Sequence, residues 1–170
     1  MPPRWYLTIH TPDEVFSNVV ACQVIENITN PEPHGFRLYI KNYYLSGADP
    51  RRFTFHAEKQ DGSSIYHGAG EKGAIEADSE ITPTDYNLEA VIEATKTGMG
   101  KEELTVATDY STYMILVLCD AEDDEKVVLV YTSTESTSVE EVLQVGNALS
   151  EIQAATQLQL SECPDVDFSK

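Results

Sequence analysis

Positive charge is scarce in this sequence. Lys and Arg number 11 against 29 Asp and Glu in 170 residues, a formal net charge of −18. So acidic a surface repels phosphate backbones and anionic headgroups, which excludes nucleic acid as a partner and leaves small molecules, cations and basic surfaces. Long hydrophobic runs are missing too. The longest, Tyr113 to Cys119, is of strand length, and no membrane insertion is expected. The opening Met1-Pro2-Pro3-Arg4-Trp5 is not a charged-then-apolar leader, so a secreted form of this chain is expected to be a processed one. Catalytic constellations are also lacking. His10, His34, His56 and His67 are scattered without the short spacing that sets two imidazoles on one metal, and no nucleophile elbow is present. No catalytic residue, metal or cofactor is therefore expected, and the chain reads as a binder rather than an enzyme. His67, in Tyr66-His67-Gly68, is a haem ligand on one reading and an ordinary loop residue on the simpler one. The three cysteines, Cys22, Cys119 and Cys163, match no zinc spacing. Asn27-Ile28-Thr29 has the form of a glycosylation acceptor.

Apolar residues make up 41 % of the chain, enough for a substantial core, and the length suits one domain over residues 1–170. Most of it reads as short strands. Trp5 to His10 and Asn18 to Thr29 are apolar and β-branched, and Phe36 to Tyr44 and Arg52 to Ala57 alternate. Ser64 to Glu76 is Gly-rich and reads as a bulged strand or a loop. Alternation in Tyr86 to Glu93 places Tyr86, Leu88, Ala90 and Ile92 on one face. Leu104 to Ala107, Tyr113 to Cys119 and Val127 to Thr132 follow at regular spacing. One helix comes late, at about residues 138–155. Val139, Val142, Leu143, Gly146, Leu149 and Ile152 recur at helical steps, and Ser138 with Glu141 has the spacing of a capping box. Thr156 to Leu160 returns to period two as a last short strand, followed by a tail to 170. Strands over about 4–134, then one helix, point to an all-β barrel with the helix packed outside, because closure removes sheet edges.

The run Val106-Ala107-Thr108-Asp109-Tyr110-Ser111-Thr112-Tyr113 resembles the loop between the sixth and seventh strands of lipocalins. Trp5-Tyr6 is similar to the tryptophan of that family's first strand, and the late helix and final strand fall where the family has them. The chain departs from the pattern at Pro3, where the family has glycine, and at Ser133 and Thr134, where many members carry an arginine over the tryptophan. The resemblance covers nearly the whole chain, in the manner of arthropod secreted lipocalins. It implies an eight-stranded antiparallel up-and-down barrel and a secreted, extracellular protein. It also implies a disulfide between Cys22 and Cys163, with Cys119 left without its usual partner.

Alternate residues of a small barrel face inward. With Cys119 outward, Met114, Leu116 and Leu118 face the lumen. The family's register adds Val127, Leu129 and Tyr131, and it points Glu103 and Thr105 inward with Leu104 and Val106 outward. Alternation alone adds Tyr86, Leu88 and Ile92. These positions are either a ligand cavity or a packed core. Three functions follow: binding of an apolar or amphipathic small molecule in the lumen, capture of a cationic biogenic amine by a lumenal Glu103, and inhibition of a protein partner through barrel-mouth loops over a filled barrel.

Overall fold

The computed structural model describes residues 2–30, 35–59, 66–68, 75–77, 103–119, 126–161, 163 and 166–169. The chain starts with β1 (Trp5–His10), α1 (Glu14–Val19) and β2 (Val20–Thr29), and continues through β3 (Gly35–Tyr44) and β4 (Arg51–Lys59). The short β5 (Tyr66–Gly68) and β6 (Ile75–Ala77) come next, then β7 (Glu103–Thr108), β8 (Tyr113–Cys119) and β9 (Lys126–Thr132). Helix α2 (Val139–Glu151) and β10 (Gln159–Leu160) complete the order. Every pairing is antiparallel. Eight strands run β1-β2-β3-β4-β5-β7-β8-β9, and β9 pairs back onto β1 to close the ring. The expected antiparallel barrel with one late helix is thus what the chain forms. β6 lies beside β4, and β10 flanks the end of β1 at Ile9 and His10.

Two differences from the sequence reading concern local structure. The strand expected from Asn18 begins at Val20, because the preceding six residues form the helical turn α1. Of the apolar stripe expected on α2, Leu149 and Ile152 pack against the sheet and the N-terminal members do not. The buried residues of the helix are Val145, Ala148 and Leu149, while Val139, Val142 and Leu143 are exposed. Only the C-terminal half of the helix docks, against Ile115, Val117, Val128 and Val130 on the outer face of β8 and β9. The cap is as the spacing predicts. The Glu141 N–H donates to Ser138 Oγ at 3.2 Å, and the Ser138 N–H donates to Glu141 Oε2 at 2.7 Å.

Residues directly opposite in an antiparallel pair share a face, and the alternation divides this sheet into two apolar layers. The inner one joins Trp5, Leu7, Ile25, Leu38, Phe53 and Leu116 with their neighbours in a single buried cluster. The outer one lies under α2. A third, smaller cluster holds Cys22, Val24, Tyr43 and Cys163 against Tyr6, Val166 and Phe168, so the C-terminal tail is laid across the outside of β1, β2 and β3. Gly35 at the start of β3 has no room for a side chain, since a Cβ there would meet the Ala57 carbonyl oxygen at 2.5 Å. That absence lets β3 close onto β4 at the end of the ladder.

The Thr108-Asp109-Tyr110 loop owes its shape to one carboxylate. Asp109 Oδ1 accepts the backbone N–H of Ser111 at 2.9 Å, of Thr112 at 2.7 Å and of Tyr113 at 3.1 Å. Tyr110 beside it takes a left-handed φ of 64° and points into solvent. Burial pushes the Asp109 carboxyl up, but the N–H groups of Thr112, Ser111 and Tyr113 outweigh it and bring its pKa down to about 2 from 3.8. An unfolded carboxyl takes up its proton near 3.8, so this loop's contribution is fully present above that pH and is lost as pH falls toward 2. Asp109→Asn is expected to lower the melting temperature at pH 7 and to flatten its dependence between pH 4 and pH 2, checked by thermal melts over that range. An unaltered pH dependence would show that the carboxylate does not hold the turn.

Candidate functional site

The inner face of the ring is the candidate site, and the register decides which side chains belong to it. Met114 lies opposite Tyr131, Leu116 opposite Leu129, and Leu118 opposite Val127. All six pack in the inner cluster. Leu116 and Tyr131 have no exposed surface and act as packing in the middle of the ring. Val127 and Leu129 are only partly buried and line the inner wall toward the end that carries the β8–β9 connection. Tyr86, Leu88 and Ile92 lie outside the described residues.

Glu103 and Thr105 are not lumenal, which corrects the sequence expectation. Glu103 lies opposite Cys119 and Thr105 opposite Val117, both on the outer face, whereas Leu104 lies opposite Leu118 and Val106 opposite Leu116. Leu104 is buried and Glu103 is exposed. The physical reason is the period of two: a register displaced by one residue exchanges the faces of a whole strand. An outward Cys119 requires an outward Glu103 once the two are known to be opposite. The carboxylate proposed to meet an amine inside the barrel is therefore in solvent. Among the described residues, no Asp or Glu is buried.

Sequence reasoning missed a polar layer within the ring. Gln23, Asn42 and Tyr131 are all buried. The Tyr131 hydroxyl donates to Gln23 Oε1 at 2.6 Å, and Gln23 Nε2 donates to Asn42 Oδ1 at 2.7 Å. Tyr44, two residues on from Asn42 and on the same face, is buried with Val20 against Val19 of α1. Arg51 lies directly opposite Asn42. Burial drives the phenols of Tyr131 and Tyr44 upward, the latter to about 12 even though Arg51 and Asn42 oppose the shift, so both are neutral at physiological pH. The available signal was the polar residues Gln23 and Asn42 inside strands of otherwise apolar inner positions.

On the outside, Lys41 is buried and pairs with Glu26 at 3.6 Å, and Arg52 reaches the same carboxylate at 3.3 Å. A separate open cleft of about 560 Å³ lies beside the start of α2, lined by hydroxyls and carboxylates including Thr112, Thr134, Ser138 and Glu141. None of the residues that line it has a wholly apolar side chain. Among the described residues, no group of three His, Cys, Asp or Glu is placed to hold a metal. Cys22 is joined to Cys163 across a separation of 141 residues, which removes it as a reactive thiol, and Cys119 is a partly buried free cysteine.

No protein-family model matches this sequence, and no curated protein matches it. Solved structures do match its fold. Crustacyanin from the lobster Homarus americanus is 12 % identical with a TM-score of 0.61, over 96 % of this chain and 77 % of that one. The tryptamine complex of the amine binding protein of Rhodnius prolixus is 18 % identical with a TM-score of 0.53, over 95 % and 77 %. Japanin from Rhipicephalus appendiculatus, bound to cholesterol, is 10 % identical with a TM-score of 0.51, over 97 % of each. The chain has the lipocalin fold.

Proposed function

We propose that this protein binds an apolar or amphipathic small molecule within its barrel and does no chemistry on it. The observation that carries this reading is the inner wall itself. Leu118, Val127 and Leu129 form an apolar surface inside a closed ring, partly open at Val127 and Leu129, with a few polar groups deeper in. Such a surface, enclosed and with few polar tips, is what a small-molecule site requires. The amine-binding and cholesterol-binding proteins of like fold support the class of function. An oxidising, extracellular setting fits the disulfide.

The test is uptake of a neutral apolar fluorescent probe, N-phenylnaphthylamine, by the protein and by Leu129→Trp. A larger side chain at a partly open lumenal position is expected to fill the space and reduce uptake about tenfold or more, with an unchanged melt. Equal uptake by both proteins would remove the inner wall as the site.

A second reading has one observation in its favour. Leu7, Ile25, Leu116 and Tyr131 in the middle of the ring are at most 1 % exposed. A filled barrel would serve as a scaffold whose end loops meet a protein. It predicts no uptake of any apolar probe.

A further inference from the structure

The polar layer inside the ring has a direction. Gln23 accepts from Tyr131 through its oxygen and donates to Asn42 through its nitrogen. The Asn42 oxygen is thereby used, and the amide presents its Nδ2 donor onward. That nitrogen is buried and completes no hydrogen bond. The next polar atom on the same face, the Tyr44 hydroxyl, is buried and also completes none. Asn42 lies beside the Tyr44 phenol and opposes the rise in its pKa that burial causes. Arg51, opposite Asn42 in the ladder, places its positive charge near the same hydroxyl.

Two buried donors and a cation thus converge at the end of the barrel that carries α1 and the β3–β4 turn. Folded proteins seldom leave buried donors without an acceptor, because the lost hydration is not replaced. A bound acceptor would satisfy both. In the ring order, β3 and β4 lie across from β8 and β9, so the polar wall faces the apolar one formed by Val127 and Leu129.

We infer that the polar end of the ligand is an anionic hydrogen-bond acceptor, a carboxylate or its like, received by Asn42 Nδ2, the Tyr44 hydroxyl and Arg51, with its apolar body against the opposite wall. This rests on the lumenal binding proposed above and gives that ligand its chemical class. An ammonium group at the same place would meet the Asn42 donor and a like charge, with only the Tyr44 oxygen to accept from it.

The experiment is calorimetric titration of the disulfide-intact protein with three chain-matched probes, dodecanoate, dodecanol and dodecylamine, the two ions below their micelle concentrations and the alcohol below its solubility limit. The carboxylate is expected to bind about tenfold or more tighter than the amine, with the alcohol between them. Tyr44→Phe is expected to weaken dodecanoate about tenfold while dodecanol changes less than about threefold, and Arg51→Gln to act in the same sense. Equal affinities for the three probes, or tightest binding of the amine, would overturn the inference and leave lumenal binding standing. Failure of all three probes, together with failure of N-phenylnaphthylamine uptake, would overturn both. If Tyr44→Phe does not fold, the order of the three probes on the unaltered protein decides the matter alone.

Discussion

Cys163→Ser is expected to lower the melting temperature by roughly 10–20 °C under oxidising conditions, and to have little effect in reductant. Cys22 is on the outer face of β2 and Cys163 in the C-terminal tail, 141 residues apart. Closing a loop of that length restricts the unfolded chain by roughly 5 kcal/mol in the chain-entropy account. The bond also keeps the tail in place. Phe168 sits edge-on to Tyr6 and Tyr43, at 5.6 Å and 5.3 Å between ring centroids, with the Arg4 guanidinium 4.9 Å above it. Freed from Cys22, those few contacts must hold an otherwise unconstrained segment, and they are too small to offset its entropy. Scanning calorimetry with and without reductant separates the bond from the side chain. A drop that persists in reductant would attribute the loss to serine at a buried position.

Leu104→Ala is expected to destabilise the fold by about 2–5 kcal/mol, whereas Glu103→Ala should change it by less than about 0.5 kcal/mol. The two residues are neighbours on β7 and differ only in face. Leu104 is 2 % exposed and packs in the inner cluster, so its truncation leaves a cavity in a closed ring that cannot easily collapse. Glu103 is exposed, opposite Cys119 on the outer wall. Urea unfolding of both variants reads the register directly. A large loss from Glu103→Ala with a small one from Leu104→Ala would place β7 one residue away from the register described here. The same variants bear on function, since a protein that takes an amine through Glu103 would lose that affinity in Glu103→Ala.

The contrast between those neighbours shows how far sequence reading reaches. Short apolar and alternating runs identified the strands of the ring except β5, which the Gly-rich Ser64 to Glu76 left open, and in β8 and β9 alternation also assigned the faces, because outward placement of Cys119 settles every residue from Met114 to Leu118. On β7 alternation was equally clear, but it divides Glu-Leu-Thr-Val into two sets without saying which set is inside. A carried-over register chose the wrong set. The N-terminal part of the α2 stripe failed for a related reason, while Leu149 and Ile152 dock as expected. Apolar residues occupy more than one face of that helix, and only contact with β8 and β9 selects Val145, Ala148 and Leu149 over Val139 and Leu143.

The polar layer was the least legible part. Gln23 and Asn42 are 19 residues apart, and Tyr131 is 108 residues from Gln23, so nothing in local pattern joins them. Each alone is an unremarked polar residue in a strand.

The sequence by itself determined the class of fold, the cap of α2 and the acidic charge balance, because these depend on composition and on spacing within a few residues. Only the tertiary structure decided that Leu104 rather than Glu103 faces inward, and that Asn42, Tyr44 and Arg51 share one end of the inner face. Those are relations between strands. Each follows from closure of the barrel, which fixes the register of every pair at once and brings distant residues onto one wall.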